Sequence, residues 1–294
     1  LFIFGIINLM SNQLTGRIIV PKIGTKNIIM IGTAILAICP LLLVIVDSYI
    51  LFMAIAFPFG AAIGFVIPSN QTQISHIENI TEKIYTPIYQ ACFSAGSLSG
   101  ALMAAYVIRQ DIHPEITFSV MAVIILLSVI VIYFLGLPKS EESNDPIVKF
   151  EFPKRNIFIF GILLMFNFAT IGIIIDWSSL WLTRDLMAPL FLGGLVIVFF
   201  NAGEIVARLF ASSFIDWFGE KIVGGYLSVL GAIILFVSIL TSNLNFIIPA
   251  LVLFGLFTAN FIAIVIRQAI KVTTDPIPLT VSNLTTLGFS GFIF

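Results

Sequence analysis

Long apolar runs separated by short polar stretches fill the whole chain, and within the runs there is no alternation of period two. The runs fall at roughly 1 to 16, 27 to 46, 50 to 69, 88 to 108, 116 to 137, 157 to 181, 190 to 214, 222 to 242, 246 to 266 and 280 to 294. A helix needs about 20 apolar residues to cross the hydrocarbon layer, whereas a barrel strand needs about 10 with alternating polarity. The pattern therefore predicts an all-α, polytopic membrane bundle with ten crossings. The first run starts at Leu1 without an initiator Met and the last stops at Phe294 short of spanning length, so both ends read as truncated. No basic head or small-residue cleavage site precedes the first run, which argues against a cleaved signal peptide.

The longest polar stretch, Leu137 to Asn156, holds three prolines, an acidic cluster and basic flanks, and divides five runs from five. We read residues 1–137 and 157–294 as two half-bundles joined by a linker at 138–156. Of the 14 Lys and Arg residues, all but Arg109, Arg184 and the in-run Arg208 fall on one side of the alternating loops. Positive residues stay on the cytoplasmic side, so the linker is expected there and the first run passes from outside to inside. The expected setting is a bacterial cytoplasmic (inner) membrane.

Composition sharpens this picture. Hydrophobic residues make up 59% of the chain and charged residues 10%, with a mean hydropathy of +1.13 and a net charge of -1. That leaves too little polar surface for a water-soluble globule and no electrostatic footprint for nucleic acid. Cys39 and Cys92 both sit in apolar runs, and His76 and His113 fall in loops on opposite sides, so no metal site or cofactor is indicated.

Two loops carry a weak repeat. Gly16 to Ile29 (GRIIVPKIGTKNII) and Phe214 to Val223 (FIDWFGEKIV) each place an apolar pair, a Gly, a Lys two residues later and an apolar restart. Gly24 and Lys26 align with Gly219 and Lys221. If one segment were missing at the front, the two loops would be equivalent, and such internal symmetry is a common transporter plan.

With these features the chain resembles the major facilitator superfamily, whose members have two six-helix halves, a long central loop and a Gly- and basic-rich loop between the second and third helices of each half. The resemblance implies that about ten of twelve helices are present. Its loop motif would involve Gly16, Arg17, Lys22, Gly24 and Lys26, with Asp216, Gly219 and Lys221 in the second half. Gly60 to Gly64 with Asn70 and Gln71, Tyr85 to Gly100, Asp176 to Leu180, and Arg208 ahead of Asp216 resemble a bacterial branch near the fucose-permease-like proteins. The sequence also departs from the family. Pro21 stands where the first loop usually has an Asp, Gln90 where many neighbours have His, and no acidic residue lies near Ile67 as in sugar permeases. The charge lock of the first loop is expected to be weak.

Ionisable groups at membrane depth cost about 2.5 to 3.5 kcal/mol each on insertion scales, so they face water or a partner. Glu204 and Arg208 stand one helical turn apart on one face. They form either a proton-coupling site, responsive to hydration, or a static pair ordering the bundle. Asp176, followed by Trp177, is either an interfacial anchor or an outer-gate residue, and by resemblance a third coupling candidate. Asn8, Asn12, Asn70, Gln71, Gln90, Asn167, Asn201 and Asn260 offer neutral donors and acceptors to a polar solute, or, as membrane helices more often use such amides, to neighbouring helices. Trp177 could stack on a sugar ring or mark the headgroup level. Gly60–Gly64 and Gly96–Gly100 have close-packing spacing, and Pro58, Pro68 and Pro249 are expected to break or kink their helices.

No Gly-rich phosphate loop and no paired-carboxylate or Ser/His constellation is present, so neither a nucleotide-driven pump nor an intramembrane enzyme is indicated. The expected function is a secondary active transporter of a small polar solute, sugar-like in chemistry, acting as a proton symporter and a monomer. The alternative is a transporter-like sensor or chaperone without solute flux.

Overall fold

The computed structural model describes residues 2–139 and 147–292, and in it each of the ten predicted runs is helical. The helices are α1 (Phe2–Leu14), α2 (Val20–Ile23), α3 (Thr25–Ile45), α4 (Tyr49–Thr81), α5 (Thr86–Arg109), α6 (Pro114–Leu135), α7 (Arg155–Gly172), α8 (Ser178–Arg184), α9 (Leu190–Leu209), α10 (Ala211–Phe218), α11 (Leu227–Thr241), α12 (Leu244–Thr258), α13 (Phe261–Val272) and α14 (Ile277–Ser290). Among the described residues six stretches are long and apolar enough to cross a bilayer alone: Thr25–Ile45, Tyr49–Thr81, Pro114–Leu135, Arg155–Arg184, Ile222–Thr241 and Leu244–Val272. A seventh candidate is broken, with Leu195–Leu209 and Ala211–Phe218 meeting at 65°. Large apolar side chains such as Phe57, Ile124, Phe134, Phe166 and Phe236 lie exposed along these helices, as hydrocarbon solvent requires. The chain is a multi-pass membrane protein.

Two compact units are present, and each draws helices from both sides of the central polar stretch. One comprises Leu1–Glu82, Gln110–Ala169 and Gln268–Phe294. In it α4 packs on α3 and α1, α6 on α3, and α14 on α1 and α4. Small residues set these approaches. A Cβ on Gly64 would meet Asn8 O at 2.5 Å and Asn12 N at 2.9 Å, and one on Gly60 would meet Phe4 O at 2.9 Å. The Gly60–Gly64 spacing is thus a packing face for α1.

The other unit comprises Lys83–Arg109 and Thr170–Arg267. Here α9 packs between α5 and α12, and α11 packs on α12. Its core joins Val196, Phe200, Leu251 and Phe254, with the Phe200 and Phe254 rings stacked at 6.0 Å. Gly203 and Gly255 let α9 and α12 meet backbone to backbone. The expectation for Gly96–Gly100 is corrected: a Cβ on either would meet nothing within 4 Å. Helix α5 faces α9 through Gln90, Ser94 and Ser97, one turn apart in succession, which turns Gly96 and Gly100 away.

The two matched loops fold alike where they align. Gly24 has φ 83° and ψ 160°, and Gly219 has φ 79° and ψ 155°, a region essentially closed to other residues. Among the described residues these are the only glycines at positive φ. α4 is continuous helix through Pro58 and Pro68, as is α12 through Pro249, so these prolines do not break their helices. The same extension of α4 to Thr81 puts His76 in a buried helical position rather than in a loop.

Candidate functional site

The second unit concentrates its buried polarity where α9 ends. Glu204 and Arg208 are 6% and 4% exposed, low enough to remove both from solvent and lipid alike. Arg208 Nη2 donates to Glu204 Oε1 at 2.7 Å and Nη1 donates to Oε2 at 3.1 Å, a two-point pairing that fixes both side chains. Helix α5 joins in: Ser94 Oγ donates to Glu204 Oε2 at 2.8 Å and accepts from Arg208 Nη1, and Gln90 O accepts from Nη1 at 3.0 Å.

The same level is where two helices break. α9 ends at Leu209 before the bend into α10, and α12 gives way to α13 at Ala259 and Asn260. Neither break contains a proline or glycine. Two side chains reach across instead. Arg208 Nε donates to Ala259 O at 3.2 Å, and Asn260 Nδ2 donates to Ala207 O at 3.2 Å. A side-chain donor that captures a carbonyl competes with the helix's own ladder, which is a recognised cause of a kink. The breaks are thus cross-tied to one another.

Of the neutral candidates, Gln90, Asn201 and Asn260 belong to this neighbourhood. Asn201 Nδ2 donates to Ser97 Oγ at 3.2 Å, another α9–α5 tie. Gln90 Oε1 and Asn260 Oδ1 are buried and have no hydrogen-bond partner among the described residues. Buried acceptors in that state are rare and mark places where a donor from water or a ligand is accommodated.

Asn8, Asn70, Gln71 and Asn167 fall in the other unit, so the candidate amides are not gathered in one. There α1, α4 and α14 share a polar seam. Ser282 Oγ donates to Asn12 O at 2.5 Å, Thr285 Oγ1 donates to Asn12 Oδ1 at 3.0 Å, and Gln13 Nε2 donates to Thr286 Oγ1 at 2.8 Å. Asn8 Oδ1, Asn12 Nδ2, Ser69 Oγ, Gln71 Nε2 and Thr280 Oγ1 are buried there without partners among the described residues, as is Asn167 Oδ1 on α7.

Other candidates are placed less centrally. The backbone of Asp176 lies in a wide helical turn, Ile173–Trp177, and its side chain lies outside the described residues. Trp177 is 63% exposed, as an interfacial anchor would be. Asp216 is exposed and makes no ion pair among the described residues; the ion pair of that loop joins Glu220 to Arg267. Lys221 lies over Tyr226 and Lys26 over Tyr133. Lys22 is exposed, while Gly16 is pressed against Pro278 O and Ser282 of α14. A cavity of about 500 Å³ on α11 and α12 is lined by Ile234, Val237, Phe246 and Leu253, too apolar for a polar solute.

Ser94 and Ser97 were not legible as site residues, because small residues in a stretch rich in Gly and Ala read as packing. The carbonyls of Gln90 and Ala259 leave no trace in side-chain identity. The family model described as Major Facilitator Superfamily matches residues 1–292. An uncharacterized MFS-type transporter of Yersinia pestis is 25% identical over 301 residues, which span 100% of this chain and 76% of that protein. An E. coli fucose:proton symporter variant superposes with a TM-score of 0.68 at 14% identity, over 99% of this chain and 79% of the other. A nucleoside transporter variant gives a TM-score of 0.65 at 14% identity, over 99% and 78%. At those identities the structural likeness speaks to the fold.

Proposed function

Because the chain belongs to the major facilitator superfamily, and is therefore a membrane transporter rather than an enzyme, we propose that it is a proton-coupled symporter of a small, hydroxyl-rich solute. The supporting observation is the sealed Glu204–Arg208–Ser94 cluster on α9 and α5. A carboxylate held by one guanidinium and one hydroxyl, with no other ionised partner among the described residues, exchanges a proton only by rearranging those partners. Proton transfer and helix contact are then one event. Arg208 orients the carboxylate, and Ser94 carries its state to α5. Asp176, by its place near the end of its span, is assigned the outer part of the proton route.

Alternating access would move residues 1–137 and 157–294 against each other, with the 138–156 stretch on the cytoplasmic side of a bacterial inner membrane and the chain acting as a monomer. Solute chemistry is inferred from the amides Gln90, Asn201 and Asn260, with Asn8, Asn70, Gln71 and Asn167, which suit ring hydroxyls. Two solved relatives, named for fucose:proton symport and for nucleoside transport, act on molecules of that kind. Trp177 belongs to the interface in this reading.

The test is uptake of labelled fucose and labelled nucleosides into proteoliposomes of the full-length protein under an imposed pH gradient. Gradient-driven accumulation in the parent and its loss in Glu204→Gln, with solute counterflow retained, is expected. Preserved gradient dependence in Glu204→Gln would remove Glu204 from the coupling role, and solute binding without flux would favour a sensor.

A further inference from the structure

The two breaks in the second unit share a construction that neither helix would adopt alone. Phe210 N still bonds back into α9, to Val206 O at 3.3 Å, and Ile264 N opens α13 by bonding to Asn260 O at 3.0 Å. The carbonyls that stand at the breaks, those of Ala207 and Ala259, go to side chains of the opposite helix, Asn260 and Arg208 in that order. Each donor directly follows, in its own chain segment, the carbonyl that the other donor takes, so the two ties are reciprocal. All four residues are buried.

Nothing in the sequence makes either break permanent. Four residues beyond the captured carbonyls stand Ala211 and Ala263, whose amides are the ladder donors of a straight helix. Each carbonyl therefore has two donors to choose from, a backbone amide in a straight helix and a side chain across the gap in a bent one. A pair of discrete arrangements of this kind is what a segment needs to transmit a change of state. Beyond the breaks the two arms are fastened together. Ile215 of α10 and Ile264 of α13 share an apolar cluster with Val223. Gly224 admits Ile264 closely, since a Cβ there would lie 3.0 Å from its Cδ1. Further along α13, Arg267 pairs with Glu220. α10, residues 219–226 and α13 thus form one packed body carried on two breaks.

We propose that Asn260 is a positioning residue that pairs two reversible hinges, at Leu209–Phe210 and Ala259–Asn260, so that this body turns as a unit when the ties let go. Arg208 serves the hinges and Glu204 with the same guanidinium, giving Nε to Ala259 O and Nη1 and Nη2 to the carboxylate. Loss of charge on Glu204 frees that guanidinium to shift, and Asn260 makes both breaks answer to the shift. The purpose rests on the coupling role proposed for Glu204; the pairing of the hinges does not.

Backbone hydrogen exchange on the full-length protein in lipid nanodiscs tests the pairing without solute or proton gradient, read at residues 209–213 on one hinge and 260–264 on the other. Asn260→Leu keeps the bulk and removes the donor, so exchange should rise about fivefold in both segments, the worth of one ordinary hydrogen bond. The rise at 209–213, on a helix the substitution leaves untouched, is the readout that a purely local role would not move. Asn243→Ala removes the cap that Asn243 Oδ1 gives to Asn245 N at the other end of α12, and should change neither segment. If Asn260→Leu does not fold, the parent carries the test, because amides that open in one motion share one opening free energy and one temperature dependence. Faster exchange at 260–264 alone makes Asn260 a local cap and overturns the pairing, as does no change in either segment or, in the parent, unlike temperature dependences at the two hinges. Retained gradient dependence in Glu204→Gln would leave these results as they stand, so the two proposals fail separately.

Discussion

Replacing Gly203 with alanine should destabilise the protein, while replacing Gly96 or Gly100 should not, although all three are helical glycines in apolar surroundings. An alanine Cβ at 203 would stand 2.8 Å from Leu256 N and 3.0 Å from the carbonyl carbon of Val252, and closer still to Val252 O. Ordinary carbon contacts lie at about 3.5 to 4.0 Å. The obstructing atoms are backbone, so no rotamer change relieves the clash and α9 must move off α12. Overpacking of this kind costs about 1 to 3 kcal/mol. The upper end applies here, because separation also stretches the Arg208–Ala259 and Asn260–Ala207 bonds, both already 3.2 Å. Against this, alanine gains about 1 kcal/mol of helix propensity over glycine. The net loss is on the order of 2 kcal/mol. At 96 and 100 nothing lies within 4 Å, so only the propensity gain remains. Thermal unfolding of the purified full-length protein in one detergent reads the sign directly. A Gly203→Ala variant melting at or above the parent, or a Gly96→Ala variant melting clearly below it, would refute the packing argument.

Further expectations follow from the same geometry. Gly219→Ala meets no atom within 4 Å, so its cost is pure backbone strain of about 1 to 3 kcal/mol; Gly24→Ala, at a buried position with the same φ and ψ, should lose at least as much in thermal melting, and a neutral result at either would show that the position does not need glycine. Glu204→Gln and Arg208→Met should each cost about 3 to 5 kcal/mol by stranding a buried partner, with the double variant recovering much of the loss. Additive losses in that double-mutant cycle would show that the two side chains act independently.

How much of this was written in the chain differs by feature. The helical segments are legible because lipid demands length and apolarity from each one locally. The weak loop repeat is legible for a similar reason, since Gly24 and Gly219 each fill a backbone position open only to glycine. Glu204 and Arg208 stand out because so few charges lie in the runs, and their four-residue spacing brings them together in any helix. Arg17 reads in sequence only as a loop charge, and its burial was not legible because it is decided by hydrogen bonds to the carbonyls of residues 149 and 151, far away in sequence. Pro58, Pro68 and Pro249 leave their helices continuous, while the breaks come where Arg208 and Asn260 capture carbonyls, an event set by tertiary partners.

The pairing of Glu204 with Arg208 also has an electrical side. Opposite charges locked together sum to zero, so the helix that bears them can shift within the membrane without doing work against the transmembrane voltage. Should either member lose its charge, the other is left bare, and carrying one elementary charge across the full field is worth about 2.3 kcal/mol per 100 mV. The voltage dependence of each step in the cycle would therefore report, without any label, which steps occur with the couple intact.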